Sequence, residues 1–148
     1  MSRENADEKI LDPNDGSIRI NDHFRITRLT TLDELVGCFG KNRVNLIDHK
    51  NGCQSASIRN IRIGEHWFCF HFNFADGLLC GMVFVLGDRE FVGGWENWSE
   101  VEEMRRLKFC ENWLYSQTDT METLFHWGRI KAVYDSKGGG AYIGLQYE

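Results

Sequence analysis

The run HWFCFHFNFADGLLCGMVFVLG, residues 66–87, places Phe68, Phe70, Phe72 and Phe74 at every second position. A period of two sends successive strand side chains to opposite faces, so the four rings share one face. Asp76-Gly77 interrupts the run with residue types that tolerate positive φ, which predicts a two-residue hairpin turn. An uninterrupted register about that turn sets Phe74, Phe72, Phe70 and Phe68 opposite Leu79, Gly81, Val83 and Val85. This side is the expected centre of the core. The reverse side then carries Trp67, Cys69, His71 and Asn73 against Leu86, Phe84, Met82 and Cys80. It is too apolar to stand in water alone, so Trp67, Cys69, His71, Met82 and Phe84 are expected to line either a contact with a second copy or a pocket. A membrane helix is a poor reading of the same run, because Asp76 and Gly77 sit at its middle with His71 and Asn73 close by.

Elsewhere the patterns change period. Alternation at Ile18 and Ile20, then at Phe24 and Ile26, predicts short strands at 17–20 and 23–29. Leu32, Leu35, Val36 and Phe39 follow helical spacing, with Thr31 and Glu34 at capping-box distance and Gly40 at the end, which predicts a helix over 31–39. Strands are expected at 43–48 and 56–63, the second with a bulge where its apolar positions switch from Ile58 to Ile61. SEVEEMRRLKFCENWLYS predicts a longer helix over 99–116, capped by Ser99 and Glu102, with Val101, Met104, Leu107, Cys110 and Leu114 as its stripe. The last 23 residues form a hairpin in which Tyr134 faces Ala141, Ala132 faces Ile143, Ile130 faces Leu145 and Gly128 faces Tyr147. Together these elements predict an α+β domain: a mainly antiparallel sheet of about five to seven strands with one long and one short helix on its phenylalanine face.

Length adds that 148 residues make one domain. Its boundary is expected near residue 17, because residues 1–16 gather Asp7, Glu8, Asp12, Asp15 and the only proline, Pro13, and read as a flexible leader. A formal net charge of −5 argues against a nucleic-acid partner, which calls for a basic face. The charged N-terminus lacks the apolar run of a secretion signal, and the five cysteines include no C-x-x-C pair; both predict reduced thiols in a cytoplasmic protein.

Candidate chemistry is sparse. Cys69, His71 and Cys80 share a face in the uninterrupted register, yet zinc needs a further ligand and none is near in sequence, so no metal or other cofactor is expected. The run Ser136 to Gly140 precedes a strand rather than a helix, which favours a turn over a phosphate cradle. His71, His126, Asp135 and Lys137 match no catalytic motif. GGWENWSEVEE collects Trp95, Glu96, Trp98, Glu100, Glu102 and Glu103 without a cation. Carboxylates in a first helical turn favour the helix dipole. With Trp95 and Trp98 as anchors, and Glu96, Glu100 and Glu103 as the acids, the same residues form a candidate docking edge for a cationic protein.

Trp127-Gly128, Tyr134-Asp135-x-Lys137-Gly138, Ile143 and Tyr147 resemble the C-terminal strands of small α+β proteins from bacterial mobile gene cassettes and, more loosely, of immunity proteins against contact-dependent toxins. The resemblance spans the last 24 residues and carries no functional residue with it. It implies a bacterial accessory protein, often oligomeric, that acts by binding. The leading expectation is therefore a non-enzymatic binding protein, of inhibitor or immunity type, forming a homodimer. The alternative is a small-molecule-binding or enzymatic domain with a pocket on the sheet face.

Overall fold

A computed structural model describes residues 8–92, 99–135, 137 and 140–148. The mixed α+β class is as expected, and sheet dominates it. Three short strands, β1 (Leu11–Asp12), β2 (Ser17–Asn21) and β3 (Phe24–Ile26), form a small antiparallel sheet and lead into helix α1 (Leu32–Phe39). Then come β4 (Asn45–Lys50), β5 (Cys53–Ile63), β6 (His66–Ala75) and β7 (Leu78–Gly87), helix α2 (Glu100–Thr118), and β8 (Leu124–Phe125), β9 (Gly128–Asp135) and β10 (Gly140–Tyr147). These last seven strands make one antiparallel sheet in the order β4-β5-β6-β7-β10-β9-β8.

Local chemistry explains both helix starts. Thr31 accepts from the Glu34 amide while the Glu34 side chain accepts from the Thr31 amide, a complete capping box, and Ser99 accepts from the Glu102 amide. The β6–β7 turn is the expected one: Asp76 and Gly77 take φ of 52° and 82°. The C-terminal pairs match residue for residue, Tyr134 with Ala141 through Gly128 with Tyr147.

The β6–β7 register differs from expectation beyond the turn. A bulge at Cys80 lets Phe74 pair with Leu79 but Asn73 with Gly81, so Phe72, Phe70 and Phe68 oppose Met82, Phe84 and Leu86. Met82 and Phe84, assigned from sequence to the reverse side, instead lie in the core at 1% and 2% exposure. The physical reason is area: the bulge turns Met, Phe and Leu inward and leaves Gly81, Val83 and Val85 outside, burying more apolar surface than the uninterrupted register. Gly81 also has to be small, since a Cβ there would stand 2.4 Å from the Leu145 carbonyl oxygen.

Helix α2 covers this inner face, with Trp113 edge-on to Phe68 and Phe84 at ring-centroid distances of 5.8 and 6.0 Å. Helix α1 contributes Leu35 to the same core cluster and sets Phe39 edge-on to Phe24 of the small sheet. Residues 8–16, expected to lie in the flexible leader, belong to the domain, and residues 1–7 lie outside the described residues. Ile10 and Leu11 are buried, and the Gln117 side chain accepts from both of their amides (2.8 and 3.0 Å) while donating to the Glu8 carbonyl (2.8 Å). The Trp127 indole donates to the Pro13 carbonyl and the Tyr147 hydroxyl to that of Gly16, each at 2.8 Å. Charged residues around it made the segment read as mobile, whereas its backbone is tied to α2 and to the C-terminal hairpin.

Candidate functional site

With α2 on one face of the seven-stranded sheet, the other face is where the expected apolar surplus has to be sought. Alternation along each strand brings out Ser55 and Ser57 of β5, Trp67, Cys69, His71 and Asn73 of β6, and Val83 and Val85 of β7. Beyond them lie Tyr142, Gly144 and Gln146 of β10 and Arg129, Lys131 and Val133 of β9. Two shallow grooves run over this surface. One, of about 480 Å³, is lined by Ser57, Arg59, Cys69, His71, Val83, Val85, Phe91 and Tyr142 among others. The second, about 370 Å³, lies towards β9 and adds Asn73, Arg129, Lys131, Val133 and Gln146; the two adjoin at Val83 and Tyr142.

The first groove is built by two irregularities. The β5 bulge between Ile58 and Ile61, expected from the sequence, places Asn60 at φ 57°. The Asn60 amide then accepts from the Phe91 N–H at 2.8 Å and donates to the Phe91 carbonyl at 3.1 Å. This two-way hydrogen bond holds the chain after β7 against the sheet, so that Phe91 walls the groove. The Cys80 bulge supplies the other half by turning Val83 and Val85 outward as an apolar floor. Val83 retains 36% exposure, while Cys69, His71, Val85 and Tyr142 are half-buried.

Polar groups stand along one side. Ser57 Oγ and His71 Nδ1 are 2.8 Å apart. His49 Nε2 and Ser55 Oγ lie at 2.7 Å, and Ser55 in turn donates to Asn73 Oδ1 at 3.2 Å. The charge is one-sided: Arg59, Arg129 and Lys131 line the grooves and, among the described residues, no Asp or Glu does. Arg129 is bonded to Gln146 Oε1 at 2.9 Å and has Glu148 at 4.0 Å. Among the described residues, none forms a hydrogen bond or ion pair with the Arg59 or Lys131 side chain. In a chain with net charge −5, that face concentrates the minority sign.

The candidate residues divide accordingly. Cys69 and His71 lie in the groove. Trp67 is on the same face but beyond the groove, with the Arg62 guanidinium 5.6 Å above its ring. Trp95, Glu96 and Trp98 of the acidic docking edge lie outside the described residues. Glu100 is exposed at the start of α2, but Glu103 turns inward at 6% exposure, accepting from the Ala141 amide (3.0 Å) and from Arg106 (2.7 Å). Its role is to join α2 to β10, so it is not available to a docking partner. Sequence reasoning missed Ser57, Arg59, Val83, Val85, Phe91 and Tyr142. The Ile58–Ile61 period switch was the only signal near them, and it marked the bulge without showing what the bulge faces.

Among the described residues no group of three or more His, Cys, Asp or Glu is placed to hold a metal ion, and no helix is long and apolar enough to cross a membrane. Comparison of the chain with protein-family models, with curated proteins and with solved structures found no match.

Proposed function

We propose that this chain is a non-enzymatic binding protein whose working surface is the open face of the seven-stranded sheet, and that a small molecule occupies it. The observation that carries the reading is the larger groove: an apolar floor of Val83 and Val85, an aromatic wall of Phe91, and the Ser57–His71 pair beside them. Its volume of about 480 Å³ falls within the range of small-ligand sites, and an apolar lining with a few placed polar groups is their usual composition. Ser57 and His71 alone do not make a nucleophile. That chemistry needs a third group to orient the base, and no carboxylate lines the groove among the described residues.

The sequence also suggested a second copy as the occupant. Two such faces brought together would gather Arg59, Arg129 and Lys131 from each copy over grooves that no described carboxylate lines, with Glu148 near Arg129 alone at 4.0 Å, and like charges at an interface cost free energy. The small ligand is therefore the better occupant. It is also compatible with the bacterial accessory role, acting by binding, that the C-terminal strands imply by resemblance.

The test is a nuclear magnetic resonance screen of the labelled protein against a set of ring-sized neutral, anionic and cationic compounds. Shift changes are expected at the amides of Cys69, His71, Val83, Val85 and Tyr142. Changes confined to the α2 side, or none at all, refute the proposal.

A further inference from the structure

We infer that the groove takes an amphipathic organic anion, a carboxylate or sulfonate carried on an apolar ring system, with Arg59 as the group that selects the charge. The inference rests on the proposed small-molecule site and adds its ligand class.

Charge is the first argument. Among the described residues, the charged side chains that line the two grooves are Arg59, Arg129 and Lys131, and carboxylates are absent from both. Arg59 and Lys131 are without a side-chain partner among the described residues, so neither has to break a bond to one of them to meet a ligand. A guanidinium offers five donors in a planar fork that fits a carboxylate or sulfonate with two parallel bonds. Arg59 also stands within the β5 bulge, between Ile58 and Ile61, and a bulge is a common device for aiming a side chain at a site. Its carbonyl accepts from Arg43 at 2.8 Å, which ties the backbone of the bulge in place.

Amphipathic character is the second argument. Next to Arg59 the floor is Val83 and Val85, and the walls are Phe91 and Tyr142. A hydrophilic anion such as inorganic phosphate would leave these groups dry and unmatched. A neutral apolar molecule would leave Arg59 without a counter-charge. His71 completes the set: with Nδ1 engaged by Ser57, Nε2 is the ring nitrogen left for a ligand oxygen.

A matched pair of fluorescent probes tests this. 8-Anilinonaphthalene-1-sulfonate carries the anion, and N-phenyl-1-naphthylamine has the same ring system without it. The sulfonate is expected to bind about tenfold more tightly, the scale of one partly exposed charge-assisted hydrogen bond. That preference is expected to vanish in Arg59→Ala, to remain in Lys108→Ala on the opposite helix, and to shrink in high salt. Resonance mapping of both probes onto Cys69, His71 and Val83 fixes where they sit. If both bind there equally and Arg59→Ala changes neither, the charge selection is overturned while the site survives. If neither perturbs those residues, the site falls with it.

Discussion

Gln117 offers the sharpest test of how the fold is held. Its side chain is 2% exposed and satisfies three backbone groups of the N-terminal segment: the amides of Ile10 and Leu11 and the carbonyl of Glu8. Gln117→Met keeps length, volume and helix propensity but removes both polar ends. Each lost bond removes a net ~0.5–1.5 kcal/mol, so three sum to about 3 kcal/mol, and an amide left buried without a partner adds to that. The segment's escape is to detach, which exposes Ile10 and Leu11, and that costs ~1.5–3 kcal/mol for each side chain. Both routes converge on a loss of about 3–5 kcal/mol. In urea that lowers the unfolding midpoint by about 1–3 M. Amide exchange at residues 10–20 should accelerate before exchange in β6 and β7 does. A loss below about 1 kcal/mol with unchanged exchange at Ile10 and Leu11 would refute the assignment of Gln117 as the clamp.

Two further expectations follow from buried groups. Glu103→Ala leaves the Ala141 amide unpaired beneath α2 and should cost about 3 kcal/mol, whereas Glu103→Gln retains an acceptor for that amide and should cost less; equal losses in thermal or urea unfolding would count against the α2–β10 link. Of the thiols, Cys53 and Cys80 are exposed and should react quickly with a disulfide reagent, and Cys110 only on unfolding. Burial pushes the Cys110 thiol up from 9.0 to about 11. The protonated thiol is thus the form the fold prefers, so its contribution is full below pH 9 and lost as pH rises to 11. The loss is about 3 kcal/mol, and urea unfolding of Cys110→Ala should show a shallower alkaline decline over that interval.

Much of the fold was legible because it depends on local rules. A capping box fixed the start of α1 and the Ser99 N-cap that of α2, Asp76-Gly77 fixed a turn, and side-chain alternation fixed the C-terminal register to the residue. The Ile58–Ile61 switch even disclosed a bulge. The expected α2 stripe failed in part, since Val101 and Met104 are exposed while Glu103, Cys110, Trp113 and Gln117 are buried, and so did a choice between two registers that local pattern leaves equivalent. In β7 both Gly81-Val83-Val85 and Met82-Phe84-Leu86 alternate, and only their competition for space under α2 and Trp113 selects the second set for the core.

From sequence alone come an α+β domain, a phenylalanine-lined inner face and an apolar surplus on the hairpin's reverse side, because period and turn chemistry act over a few residues. The tertiary structure decided which residues form that outer surface. Strand β10 pairs with β7 across a sequence gap that holds α2, bringing Tyr142 beside Val83 and Lys131 one strand further out. Asn60 draws Phe91 over the same floor from 31 residues away. Long-range strand order is set by how faces and edges fill space together, and the one-sided charge of the grooves exists only once that order is in place.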